Sequence, residues 1–374
     1  MSINVLILID HLQGDGTQNA MLRLVTGGAE RGFHYHIVNL STPTDFSPKL
    51  EAVASVTHLN YSKYDPRAIW GAWRVIRQSQ PDIVQVMLFK AEVMGGILTK
   101  FFNIPFLIVH RSGIQLSGYT AYFPLPVAII FKSMLERLMR GVTHIVIFTE
   151  SEKRYFQQHG CNNISIIKNG IDADEWSLTD TEKETYRKAI RLELGLSETD
   201  VLVTQVGRLS PEKGADILFK AFLQIQIPNI HLALVGDGIL RETLERQIQA
   251  SNKTNHVHLL GYRTDIPSIL AATDIFILTS RSEAYPNSIL EAWTQALPVI
   301  ATRTDGPVDM INHEYNGFLV DIEGIAAIAN AIEDIVESPK KRQILGENGL
   351  NTLKTKYTIQ KMRSEFETLY QSLV

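Results

Sequence analysis

Cysteine is almost absent: Cys161 is the only one in 374 residues. A single thiol cannot close an intramolecular disulfide or build a cysteine-rich zinc site, and it fits a reducing compartment. Long apolar runs are missing as well. The first, Ile3–Asp10, lacks a basic flank and a cleavage site, so it does not read as a signal peptide. No run reaches the ~18 residues a transmembrane helix needs. Asn-x-Ser/Thr triplets at Asn39, Asn60, Asn163 and Asn252 carry no meaning without a secretion signal. Neither sign of charge dominates. With 36 basic and 40 acidic residues the net charge is −4, so no bulk attraction favours nucleic acid. No His-Glu-x-x-His or comparable metal spacing occurs. Asp172-Ala173-Asp174 lies in a polar stretch without supporting carboxylates, and Glu175 adds only surface charge. Short-period repeats and low-complexity segments are also missing. What remains is an ordinary globular composition, 45% hydrophobic and 20% charged, in a chain long enough for two domains. The expected location is cytoplasmic.

Short Val- and Ile-rich runs alternate with helical patterns. The first series is Val5–Ile9, His36–Leu40, Ile83–Leu88, Phe106–Val109 and His144–Phe148, with amphipathic stretches such as Ala68–Ser79 and Val93–Phe102 between. Runs of this kind are strands buried on both faces, and their alternation with helices predicts parallel βαβ units. A second series repeats the grammar: Val201–Val206, His231–Val235, Val257–Leu260, Ile275–Leu278 and Val299–Ala301. The polar stretch Asp172–Glu184 separates the two. The fold class is α/β, with two doubly wound parallel-sheet domains joined near residue 170. Ligands of such folds bind beyond the C-terminal strand ends, and the natural site is a cleft between the two domains.

The most informative stretch is Ser280-Arg-Ser-Glu-Ala-Tyr-Pro-Asn-Ser-Ile-Leu-Glu-Ala292. It places Glu283 at the mouth of a loop and Glu291 about one turn inside a helix that opens after Pro286, Asn287 and Ser288. A helix N-terminus favours an anion, especially phosphate, and carboxylates accept hydroxyl donors. Hydroxyl acceptors flanking an anion site describe a nucleotide sugar. Strand Val201–Val206 runs into Gly207-Arg208-Leu-Ser-Pro-Glu-Lys213-Gly214 before another helix. Gly207 permits close backbone approach, and Arg208 and Lys213 offer a planar fork and a point charge to a diphosphate. The turn Gly236-Asp237-Gly238 follows the next strand and reads first as an ordinary turn, on the same side by topology.

Near the start, Gly14-Asp15-Gly16 joins the first strand to the first helix. It lacks the third glycine of a dinucleotide fingerprint, so no nicotinamide cofactor is expected. His110 and Arg111 follow a strand and so stand at a sheet edge. Leu125–Met139 is strongly apolar and carries Lys132 and Arg137. It reads as a helix packed on its own sheet, with peripheral membrane contact as the alternative.

The runs VGRLSPEKGADIL, SRSEAYPNSILEA, IKNGIDADEW and the pair GPVDMI and NGFLV resemble glycosyltransferase family 4, in the family's order and over nearly the whole chain. The resemblance implies a GT-B architecture of two facing Rossmann-like domains: residues 1–169 plus 358–374 on the acceptor side, and 170–357 binding the nucleotide sugar. It implies metal-independent, retaining transfer of a hexose, with no cofactor beyond the nucleotide-sugar co-substrate. On these positions, Arg208 and Lys213 hold the diphosphate, Glu291 the ribose and Glu283 the donor sugar's hydroxyls. Backbone N–H groups from Tyr285 to Ser288, with Pro286 and Asn287 between, face the phosphates. His110 resembles the histidine near the donor sugar. Gly14, Gly16, Gly207 and Gly236 line the donor, and Gly261-Tyr262-Arg263 is the candidate for the base.

Three positions depart from the family's pattern. Ala284 and Tyr285 stand where glycine and a large apolar residue are usual, Asp15 separates two glycines usually adjacent, and Arg111 replaces a frequent acidic residue. Family frequency favours a UDP-sugar. The acceptor is a glycan end, a lipid-linked saccharide or a small molecule, and cell-envelope glycan, polysaccharide or glycolipid synthesis is the expected setting. An epimerase or a pyridoxal-type phosphorylase on the same architecture, and a catalytically silent subunit that binds nucleotide sugar, stay open.

Overall fold

Valine and isoleucine crowd both sides of their backbone with branched carbons, so their runs settle as strands covered on each face. The computed structural model describes residues 2–14, 16–62, 65–110 and 124–374, with the backbone alone at residue 131. Asp15 and Arg111 therefore lie outside the described residues. The chain divides into two units, Met1–Gly170 with Ile359–Val374, and Ile171–Thr358.

The first unit carries β1 Ile3–Ile9, β2 Phe33–Asn39, β3 Ser55–His58, β4 Ile83–Met87, β5 Phe106–Val109, β6 His144–Ile147 and β7 Ile164–Ile166. They form one parallel sheet in the order β3-β2-β1-β4-β5-β6-β7. Strand order reverses between β1 and β4, which is where a doubly wound sheet opens to ligands. The helix Ile359–Leu373 belongs to this unit. Its Tyr370 is fully buried and donates its hydroxyl to Gln85 Oε1 of β4 at 2.6 Å. Its Glu367 meets Arg31 Nε at 2.5 Å.

The second unit carries β8 Val201–Val206, β9 Ile230–Val235, β10 Val257–Gly261, β11 Ile275–Leu278, β12 Val299–Thr302 and β13 Phe318–Val320. Their order is β10-β9-β8-β11-β12-β13, again parallel, with the reversal between β8 and β11. Leu202, Leu232, Leu234, Ile277 and Ile300 are fully buried in its core.

The two series of runs fit their strands within a few residues, but leave out β3, β7 and β13, which are short. Two differences have a physical cause. The helix expected over Val93–Phe102 runs over Phe89–Leu98. Its start is fixed from outside, because Asp10, just past β1, accepts the N–H groups of Lys90 at 2.9 Å and Ala91 at 2.6 Å. The polar stretch after residue 172 is helical, over Ala173–Trp176 and Asp180–Glu193. Asp172 caps the first, accepting from Asp174 N, and Thr179 with Glu182 forms a capping box on the second. Of the Asp-x-Asp pair, Asp172 is a helix cap and Asp174 lies in the turn it caps.

Candidate functional site

The reversal point of the second sheet brings together the loops after β8 and β11. After β8 the chain passes Arg208, turns through Pro211–Lys213 and enters the helix Ala215–Phe222. Gly214 links turn to helix at φ +70°, and a Cβ there would lie 2.0 Å from the Thr279 carbonyl oxygen at the end of β11. Only glycine permits that approach. Gln205 of β8 donates its amide to Lys213 O at 2.9 Å, which anchors the turn from beneath.

These contacts deliver Lys213 to the other loop. Its Nζ stands 2.5 Å from Glu283 Oε2, with side chains 19% and 12% exposed. Ser280 donates its hydroxyl to the same carboxylate oxygen at 3.2 Å, and Gly306 N–H donates to Glu283 O at 3.0 Å. Glu283 is thus held at both side chain and backbone. Arg208 behaves differently. Its side chain is 63% exposed, and Glu212 lies 3.7 Å away, too far for a strong pair.

Beyond Glu283 the chain runs through Ala284, buried Tyr285 and buried Pro286 into the helix Asn287–Thr294. Pro286 precedes the first helical residue in an extended conformation, φ −82° and ψ 103°. The opening amides of such a helix have no preceding turn to bond, and its dipole places partial positive charge there. Asn287 and Ser288 form this first turn, and Glu291, half-buried, opens the second.

The neighbouring strand ends lock backbone to backbone. Gly207 N–H donates to Val235 O at 2.9 Å, and Gly236 N–H donates to Gly261 O at 2.8 Å. Gly236 has φ +132°, and a Cβ on it would lie 2.0 Å from Gly207 O. Arg263 is committed within the unit. It donates to Asp265 at 2.8 and 2.7 Å and to Glu193 at 2.6 Å. The guanidinium holds Asp265 below its ordinary carboxylate range. Tyr262 beside it is 81% exposed.

In the first unit, His110 follows β5 and is buried. Its Nδ1 lies 3.0 Å from Glu92 Oε2, and its ring meets Phe156 edge-on at 5.2 Å between centroids. Glu152 stands in the first turn of the helix after β6 and accepts from Phe148 N at 3.0 Å and Thr149 N at 3.1 Å. Burial raises its pKa, and burial also pushes Asp10 up to about 7 against two backbone N–H donors. Gly14 and Gly16 lie ahead of and at the start of the helix Gly16–Val25, and Asn19 Nδ2 donates to Gly14 O at 2.9 Å. Sequence reasoning singled out His110 but not Asp10, Glu92 or Glu152. Asp10 carried a signal, as a carboxylate ending the first strand. Among the described residues, no group of three or more His, Cys, Asp or Glu side chains could hold a metal ion.

Comparison with known proteins follows the two units. Residues 14–175 match the model for Glycosyltransferase Family 4, and residues 187–352 the model for Glycosyl transferases group 1. The chain is 26% identical over 318 residues to the UDP-Gal:alpha-D-GlcNAc-diphosphoundecaprenol alpha-1,3-galactosyltransferase of Escherichia coli, covering 83% of this chain and 80% of that one. It is 36% identical over 152 residues to the lipopolysaccharide core biosynthesis glycosyltransferase LpsE of Rhizobium meliloti, covering 41% and 44%. Among solved structures, Anabaena HepE in complex with UDP-glucose superposes with a TM-score of 0.85 at 22% identity, over 99% of this chain and 100% of that one.

Proposed function

Because this chain is a glycosyltransferase of the GT-B fold, with family models matching in both its halves, we propose that it moves a hexose from a UDP-sugar to an acceptor hydroxyl. The setting is cell-envelope glycan, polysaccharide or glycolipid synthesis in the cytoplasm. One observation carries the reading: the Lys213–Glu283 pair, 2.5 Å apart, stands at the reversal point of the second sheet. The uridine base is supported by the UDP-Gal in the name of the Escherichia coli relative and the UDP-glucose bound to HepE. The acceptor is a glycan end, a lipid-linked saccharide or a small molecule.

The second unit takes the nucleotide sugar and the first the acceptor. Lys213 and Arg208 bear on the diphosphate, and Glu283 accepts from the transferred sugar's hydroxyls. Glu291 accepts from the ribose. The amides of Tyr285 to Ser288 face the phosphates. Gly207 and Gly236 let backbone approach the donor, and Tyr262 offers its exposed ring to the base in place of committed Arg263. Within the first unit, Gly14, Gly16 and His110 lie past the ends of β1 and β5, on the side where that sheet would take its own ligand. In the reaction the bond from the anomeric carbon to the phosphate oxygen breaks. The bond to the acceptor oxygen forms on the same face, and the acceptor's proton passes to the departing phosphate oxygen. The two cations stabilise the charge that grows on that phosphate, a task a divalent ion performs elsewhere, so the transfer is read as metal-independent.

A thermal-shift panel with UDP, GDP, ADP and their common sugar conjugates tests the donor. A ligand at 100 times its dissociation constant should add about 2.7 kcal/mol to the state that binds it, a rise of some degrees in the midpoint. A rise with uridine nucleotides only is the expected result. Flat curves with all three bases would overturn the donor-site assignment and favour the silent-subunit reading.

Peripheral membrane contact is supported by the helix Leu125–Met139, which exposes Leu125, Ile129 and Ile130 and, two turns on, Arg137. No helix among the described residues is long and apolar enough to cross a membrane. Pelleting with vesicles containing anionic phospholipid, lost in an Ile129→Ser/Ile130→Ser variant, is the expected result. Equal pelleting of the variant removes this surface from the account.

A further inference from the structure

Arg281 has no part in the donor contacts assigned above, yet its guanidinium is engaged along every edge. Nη1 and Nη2 donate to the two carboxylate oxygens of Asp216 at 2.9 and 2.8 Å, a bidentate fork. Nη1 also donates to Pro211 O. Nε donates to Glu323 Oε1 at 2.8 Å, and the backbone N–H of Arg281 donates to Glu212 O at 2.7 Å. Asp216 lies in the first turn of the helix Ala215–Phe222, immediately after the turn that ends in Lys213. Arg281 lies two residues before Glu283 on the other loop. One planar group therefore gathers the Lys213 turn, the helix behind it and the Glu283 loop.

We propose that Arg281 is a positioning residue, whose fork to Asp216 sets the separation of Lys213 and Glu283 and so aligns the cation with the departing phosphate. The inference rests on the donor-site reading above. The pairing holds the Asp216 carboxyl below its ordinary range, chiefly through the hydrogen bonds from Arg281. Asp216 is thus ionised and the fork complete at neutral pH. An ion pair serving stability alone has no need to bond the backbone of the catalytic turn. Here the carbonyls of Pro211 and Glu212 are both taken by Arg281.

Arg281→Lys tests this, because lysine keeps the charge and loses the fork. The probe is steady-state release of UDP from UDP-glucose by the full chain. A misplacement near one ångström costs about 100-fold in rate, so a fall of about 10- to 100-fold in kcat is expected, with KM within about threefold. In a Lys213→Ala background the same change should lower kcat by less than about threefold, since its effect passes through Lys213. A contact that only stabilises the fold would lower both backgrounds alike, and that result overturns the proposal. Wild-type kcat in Arg281→Lys overturns it too, while a Lys213→Ala variant still slowed by about two to three orders of magnitude leaves the donor-site reading standing. Wild-type turnover in Lys213→Ala would instead remove that reading and this one together. Should Arg281→Lys not fold, Asp216→Asn breaks the fork from the helix side and must show the same split.

Discussion

Lys213→Ala should lower turnover by about two to three orders of magnitude, the usual loss when one preorganised charge stabiliser is removed. The side chain is 19% exposed, and its turn is anchored by the Gln205 amide of β8 and packed against the Thr279 carbonyl after β11, so once the diphosphate has drawn Lys213 from Glu283 little further reorganisation is needed as negative charge grows on the leaving phosphate. Its loss also strips Glu283 of its cation. That carboxylate keeps the Ser280 hydroxyl at 3.2 Å, so the variant should fold, with a melting midpoint a few degrees lower. Release of UDP from the donor sugar found in the thermal-shift panel gives the rate, and calorimetry gives the midpoint. Wild-type turnover in a folded variant would sink the assignment of Lys213.

Glu283→Gln should move two observables in opposite directions. In the free protein Lys213 and Glu283 satisfy each other at 2.5 Å. A diphosphate must draw Lys213 away from that partner and approach a carboxylate of its own sign. Removing the charge relieves both costs, so UDP alone should bind more tightly, by roughly threefold to tenfold for a partly buried pair. Turnover should fall by about 100-fold, because the donor sugar loses charged hydrogen bonds worth about 1.5–3 kcal/mol each. Titration calorimetry with UDP and a steady-state assay read the two effects on one preparation. Weaker UDP binding in the variant would show that Glu283 helps to hold the nucleotide, against the role given to it.

The alternation of Val- and Ile-rich runs with helical stretches was enough to find two doubly wound sheets, because buried parallel strands demand that composition locally. The edges of elements were harder. The helix Phe89–Leu98 begins where Asp10, some eighty positions earlier, caps it, and no local pattern records that partner. The same holds around the candidate site. Lys213 and Glu283 stood out in glycine- and proline-punctuated loops at strand ends. Arg281, Asp216 and Gln205 did not, because an arginine between serines, an aspartate in a helix start and a glutamine in a strand gain meaning only from what they face. Arg263 shows the converse. It looked available from its loop, yet Glu193 and Asp265 hold it.

The helix Ile359–Leu373 makes the first unit discontinuous along the chain. Residues 171–358 form a continuous unit, with all six strands of its sheet in one stretch of chain. The first unit begins earlier and finishes later. Its central strand β4 takes the Tyr370 hydroxyl at Gln85, and Arg31 pairs with Glu367. The first unit is thus complete only with a segment that follows the whole of the second, while the second needs no segment from outside its own stretch.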